Sequence, residues 1–186
     1  MELFPTLSIG WLNGWILLAV EFFVQGFLLL IYPKNVVSRF FDRSGWSEKQ
    51  RIFTIIGKLF SLACLLLIFL TPLKINASIF IPGSLLYALG LVGLVISMEN
   101  FKTTPANQPV TTGIYQISRH PQIVSLFIIF LGISLSIGSW VCLLSLLFSR
   151  IFQHYGILAE EEVCIKNYGE SYQVFMESVP RYFLFL

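Results

Sequence analysis

The residues able to do chemistry cluster in three places. The first is Thr112-Gly113-Ile114-Tyr115-Gln116-Ile117-Ser118-Arg119-His120-Pro121-Gln122. A phenol, a guanidinium and an imidazole stand there between a glycine that permits a turn and a proline suited to the first turn of a helix. A helix starting at Pro121 presents free amide N–H groups, which attract a carboxylate or a phosphate. The competing reading makes Arg119 and His120 interfacial anchors beside lipid headgroups. The second place is Glu160-Glu161-Glu162, directly after the last apolar run. Three carboxylates at a helix C-terminus oppose its macrodipole. They call for a bound cation, a sulfonium or a basic loop, or else the helix runs on into solvent. The third is Tyr168-Gly169-Glu170-Ser171-Tyr172, followed by Val179-Pro180-Arg181-Tyr182.

The elements that must position these residues are apolar. Of 186 residues, 56% are hydrophobic and 12% charged, against about 25% charged in a typical soluble domain. Mean hydropathy is +0.79. This excludes a disordered chain, a collagen, a disulfide-rich module and an ordinary cytosolic enzyme, and it predicts an all-α polytopic membrane protein. A net charge of +2 gives no reason to expect nucleic acid as a partner. Cys64, Cys142 and Cys164 have no ligand spacing, so neither a disulfide framework nor a metal site is expected.

Hydropathy predicts about five transmembrane helices, over residues 11–31, 52–71, 79–98, 122–137 and 140–158, in a single integral membrane domain over 1–186. The first run reads as a span rather than a cleaved leader. The last two form a helical hairpin broken at Gly138-Ser139. Lys34, Arg39, Arg43, Lys49 and Arg51 crowd the first loop, Lys102 and Arg119 the third, and Lys166 and Arg181 the tail. The segment before the first span has no Lys or Arg, and the loop at 72–78 has Lys74 alone. Five crossings then put the N-terminus outside and the C-terminus in the cytoplasm. The small pairs Gly10/Gly14, Gly93/Ser97 and Gly132/Ser136 predict close helix packing within the chain. Glu21 and Gln25 share a face of the first span, and Arg150 and His154 a face of the last. Intramembrane ionisable groups point to function by default. Glu21 and Gln25 are candidates to line an acceptor's path, with an interhelical hydrogen bond as the alternative for Glu21. Arg150 is a candidate to hold an anionic substrate, and His154 either joins it there or is a structural partner of Arg150 or Glu161.

The pattern G-x-Y-x-x-x-R-H-P before the hairpin, then the glutamates, Y-G-x-x-Y and a V-P-R tail resembles the membrane methyltransferases, a group including isoprenylcysteine carboxyl methyltransferase and phosphatidylethanolamine N-methyltransferase. The likeness covers about residues 79–186. It implies S-adenosylmethionine in a cytoplasmic pocket walled by the loop before the hairpin and the C-terminal segment, and methyl transfer to a lipophilic or membrane-embedded acceptor. Carried over by position, the cofactor contacts are Asn100, Asn107, Gln108, Pro109, Val110, Tyr115, His120, Pro121, Gln122, Ile123 and Glu160, with Glu161 as the alternative one register away. Arg119 and His120 are the candidate catalytic pair. Two positions depart from the family pattern: Ile123 replaces an aromatic, and Gly156 stands where the isoprenylcysteine enzymes place a substrate-binding Arg. Two rival readings are a nicotinamide-dependent membrane reductase with a similar R-H-P segment, and a non-enzymatic channel, transporter or assembly protein.

Overall fold

The computed structural model describes residues 1–183. Its regular elements there are α1 (Trp15–Ile31), α2 (Lys34–Phe40), α3 (Glu48–Leu70), α4 (Phe80–Thr103), a 3-10 turn (Gly113–Gln116), α5 (Pro121–Ser136), α6 (Trp140–Tyr168) and α7 (Glu170–Ser178). Helices α3, α4 and α6 have 23, 24 and 29 residues. At 1.5 Å per residue they are roughly 35, 36 and 44 Å long, enough to cross a hydrocarbon core of about 30 Å. The protein is an integral membrane protein. The other two expected spans, α1 and α5, are apolar but have 17 and 16 residues, about 25 Å.

The ends of the helices depart from the hydropathy boundaries for local reasons. Helix α3 starts early because Ser47 and Gln50 form a capping box, each side chain taking the other's orphan backbone N–H. Helix α1 starts late because Asn13 turns its side-chain amide onto the carbonyls of Ser8 and Phe69 (2.6 and 3.2 Å), while Gly14 donates to the Thr71 carbonyl. Helix α6 continues through the glutamates to Tyr168, since Glu and Lys are good helix formers once outside lipid. The acidic run is therefore well inside a helix and is not opposed by the negative end of the macrodipole, contrary to the expectation from its position after the apolar run.

Helices α5 and α6, the arms of the expected hairpin, are joined by a short turn at 137–139, and each packs chiefly on another helix. Helix α5 lies along α4, and α6 lies along α3. Small residues select these partners. A Cβ on Gly132 would come within 2.6 Å of the Gly83 carbonyl in α4, and one on Gly57 in α3 within 2.8 Å of the Gln153 side chain in α6. Backbones approach this closely only where side chains are missing.

Loops sort to two ends as an alternating chain requires. At one end the N-terminal segment bonds to both short turns: Glu2 N–H donates to Gly138, Leu73 N–H to Leu12, and the Lys74 ammonium pairs with Glu2 at 2.7 Å. At the other end Arg39 donates to the Thr104 carbonyl (2.9 Å), and the Tyr32 hydroxyl to Glu99 (2.7 Å). All three chemistry-bearing clusters meet at this second, basic end.

Candidate functional site

Two motifs far apart in sequence form one unit. The Arg119 backbone N–H donates to the Pro180 carbonyl (2.9 Å), and the Ser118 hydroxyl to the Arg181 carbonyl (3.0 Å). The Arg119 guanidinium then caps the end of α7, donating through Nη1 to the carbonyls of Met176 (2.7 Å) and Val179 (3.1 Å). Its Nε donates to Glu161 Oε1 at 2.9 Å. Arg181 grips the same carboxylate, with Nη2 2.7 Å from Oε2. Only 5% of the Arg119 side chain and 4% of that of Glu161 are exposed. The R-H-P and V-P-R motifs are thus the two halves of a latch, with Glu161 as its centre.

Counting 1.5 Å per residue from Trp140, α6 uses up a hydrocarbon core of about 30 Å near Leu158, so Glu160 and Glu161 stand beyond it. Burial alone would raise the Glu161 carboxyl. Hydrogen bonds with His120 and Arg181, and the charges of His120 and Arg119, overcome this and hold it at about 2.

Glu160 points the other way. It lines two cavities at once. The first, about 440 Å³, is walled by aromatic and polar side chains, among them Arg39, Phe40, Arg43, Trp46, Phe101, Tyr115, Gln122, Tyr172 and Phe175. The second, about 600 Å³, is mostly apolar and lies among α3, α5 and α6, with Ile123, Val124, Phe127, Ile151 and Ile157 in its wall. Arg43, Trp46, Ile123 and Glu160 belong to both. The Glu160 side chain keeps 45% of its surface, open to the cavities, and His120 Nδ1 stands 3.7 Å from it. Protein surrounds that carboxyl on most sides and raises its pKa, the charges of His120 and Arg43 offsetting part of the effect. Cys164 also faces the aromatic cavity. Burial, then the Glu160 charge, pushes its thiol up to about 11, so at neutral pH it is no thiolate nucleophile.

Of the residues expected around a cofactor, Pro109, Val110, Tyr115, His120, Gln122, Ile123 and Glu160 line the aromatic cavity, as do Arg119 and Gln25. Asn100 plays a different part: its Oδ1 accepts from the Ile114 N–H at 3.0 Å. It thereby pins the turn at Gly113, whose φ of +62° suits glycine and where a Cβ would collide with the Asn100 amide. Asn107 and Gln108 are exposed on the loop. Pro121 is buried at the start of α5, and Glu161 is engaged in the latch. The four acceptor candidates separate. Gln25 is in the aromatic cavity, while Arg150 and His154 are in the apolar one. Glu21 is 1% exposed and belongs to neither lining. His154 hydrogen-bonds the Tyr182 hydroxyl through Nδ1 (2.7 Å), not Arg150 or Glu161.

Residues 66–171 match the model of a family described as phospholipid methyltransferase. That stretch holds α4, α5, α6 and the loop between Thr103 and Pro121, hence Tyr115, His120 and both glutamates. The chain belongs to this phospholipid methyltransferase family. Over 74 residues it is 38% identical to the protein-S-isoprenylcysteine O-methyltransferase of Schizosaccharomyces pombe (strain 972), a match covering 38% of this chain and 30% of that protein. The chain thus aligns with less than a third of that relative's length. No solved structure matches it.

This phospholipid methyltransferase family member also builds its cavities from residues that sequence reasoning passed over. Arg39 packs its guanidinium 4.6 Å from the centre of the Phe101 ring, and Arg43 lies 5.4 Å from that of Trp46. These come from the first loop, whose charge sets the expected orientation. The interleaving of Arg39, Phe40, Phe41, Arg43 and Trp46 was the available signal, because topology needs only the cations and not the aromatics between them.

Proposed function

We propose that the protein transfers a methyl group from S-adenosylmethionine to a nucleophile on a lipophilic acceptor, with the donor in the aromatic cavity and the acceptor in the apolar one. The observation that carries the reading is that Glu160 lines both, so the two ligands would meet beside one carboxylate. Family membership supports the reaction class.

The cavity residues suit such a donor. The Gln122 amide nitrogen, in the wall of the aromatic cavity, is buried without a hydrogen-bond partner, an orphan donor that a ligand oxygen would satisfy. Arg39 and Arg43 supply cations for a carboxylate. Glu160 and the Tyr115 ring supply a negative charge and a π face for a sulfonium. Leu94, Met98 and Val110 supply apolar contacts for a base.

When bound, the donor supplies an electrophilic methyl carbon on a positively charged sulfur. The chain's own work is proximity and alignment. Tyr172 and Phe175, held by the latch, close the aromatic cavity over its ligand and exclude water. Ile123 and Trp46 shape the passage between the cavities. His120 stands between Glu160 and Glu161 at 3.7 and 3.3 Å; in its neutral form it is the group placed to take a proton from an amine acceptor, and the imidazolium so formed is held by the two carboxylates. A carboxylate acceptor needs no such step.

The test uses purified protein in maltoside detergent. Calorimetry is expected to show binding of S-adenosylmethionine and none of NADPH, and a methyl-labelled donor is expected to pass label to a lipid extract. Binding of NADPH alone, or of neither, overturns the reading. We further propose five crossings, with α1 and α5 completing the bundle, the N-terminus outside and both cavities on the cytoplasmic side. Once Cys64, Cys142 and Cys164 are replaced, Ser178→Cys should react with an impermeant thiol reagent in inverted vesicles and not in sealed right-side-out vesicles. The opposite pattern would reverse the orientation.

A further inference from the structure

Arg150 stands where a membrane protein least tolerates an unpaired charge. It is ten residues along α6 from Trp140, about 15 Å, or half the depth of a hydrocarbon core. Nη1 donates to the Gln153 side-chain oxygen at 3.3 Å, and Nε is buried with no partner. Among the described residues no carboxylate comes within ion-pair distance of Arg150. Gln153 itself is held in place: its Nε2 donates to Ser61 (2.7 Å) and Ser149 (2.8 Å), which turns the neutral amide oxygen toward Arg150. The helix thus orients a guanidinium without neutralising it. Intramembrane cations are costly and face a partner or a cavity, and Arg150 lines the apolar cavity. Arg43 and Lys58 line it too, against the single acid Glu160. The wall is therefore greasy and carries an excess of positive charge.

We propose that the apolar cavity takes an amphiphile bearing an anionic group, and that this group sits on Arg150. Assigning that amphiphile as the methyl acceptor rests on the function proposed above; the charge preference of the cavity does not. Arg150 and Glu160 are ten helical residues apart, about 15 Å, farther than one small functional group reaches. The anion and the methyl-accepting atom are then different parts of one molecule, and methylation leaves the anion in place. Carboxylates and phosphodiesters share the chemistry that Arg150 recognises.

The experiment is calorimetric binding to the full chain in neutral maltoside, without donor, using oleate, lysophosphatidylglycerol and oleyl alcohol. At least one anionic probe is expected to bind tenfold or more tightly than the alcohol. Arg150→Gln is expected to bring that ratio to about two or below. Gln153→Glu supplies the missing anion from within the chain, so it should abolish the same preference without removing Arg150, and it serves if Arg150→Gln does not fold. Preference for oleate alone assigns a carboxylate, for the lysophospholipid alone a phosphodiester; either upholds the proposal. Equal binding of all three probes, or a preference unchanged in both variants, overturns it. Donor affinity is measured separately. An anion preference without donor binding keeps this subsite and removes the methyl-transfer reading; donor binding without an anion preference does the reverse.

Discussion

Glu161→Ala should destabilise the protein by about 3–5 kcal/mol, the usual cost of breaking a buried ion pair by removing one partner. The loss arises because Arg119, 5% exposed in its side chain, would keep its charge with only two carbonyls to accept from it. Thermal unfolding in detergent measures it, and a change below about 1 kcal/mol would mean that Glu161 is not the centre of the latch. Acid gives a second route to the same quantity. The folded protein holds this carboxyl at about 2, against 4.5 for the ordinary group. A depressed folded pKa contributes stability that is complete above 4.5 and lost as pH falls toward 2. The difference corresponds to roughly 3 kcal/mol. Stability of the wild type should therefore fall over that window, and Glu161→Gln should remove this part of the fall. Because Arg119 also ends α7, its replacement by Lys should cost stability as well as ligand affinity, since an ammonium cannot make the same fork of bonds.

Glu160→Gln should behave in the opposite way. Stability should change by no more than about 0.5 kcal/mol, because the side chain is half exposed and outside the latch. S-adenosylmethionine affinity should fall tenfold to a hundredfold at neutral pH, the scale of one charge-assisted contact. Raising of the Glu160 pKa by its surroundings sets the sign of the pH effect. A cationic ligand favours the carboxylate, so wild-type affinity should decline on acidification, starting above the usual carboxylate range, and Glu160→Gln should flatten that part of the profile. Calorimetry over a pH series measures both. Unchanged affinity in Glu160→Gln would remove the carboxylate from the site and with it the place where donor and acceptor are proposed to meet.

The adjacent glutamates show where reading the chain by itself reaches its end. Composition alone determines that this protein lives in lipid, since 56% hydrophobic residues with 12% charged ones cannot be covered by a water-soluble surface. Hydropathy runs place all five long helices to within about ten residues, because the cost of exposing polar backbone to lipid is local and additive. Motif order is enough for the family resemblance. Sequence could not choose between Glu160 and Glu161, because on a helix neighbouring residues diverge by about 100° and the direction of each depends on what packs there. Tertiary structure separates the two: Arg119 and Arg181, brought in by two distant segments, pair with Glu161, and Glu160 lines the cavities. The same holds for α5, whose chain neighbour is α6 but whose packing partner is α4, and for Arg150, whose isolation is visible only once Ser61 and Ser149 are seen to hold Gln153. Membership in a helix is set by short-range energetics, whereas pairing between helices is set by which small residues let backbones touch and which charges find each other. Those contacts join positions tens of residues apart, and no pattern along the chain records them.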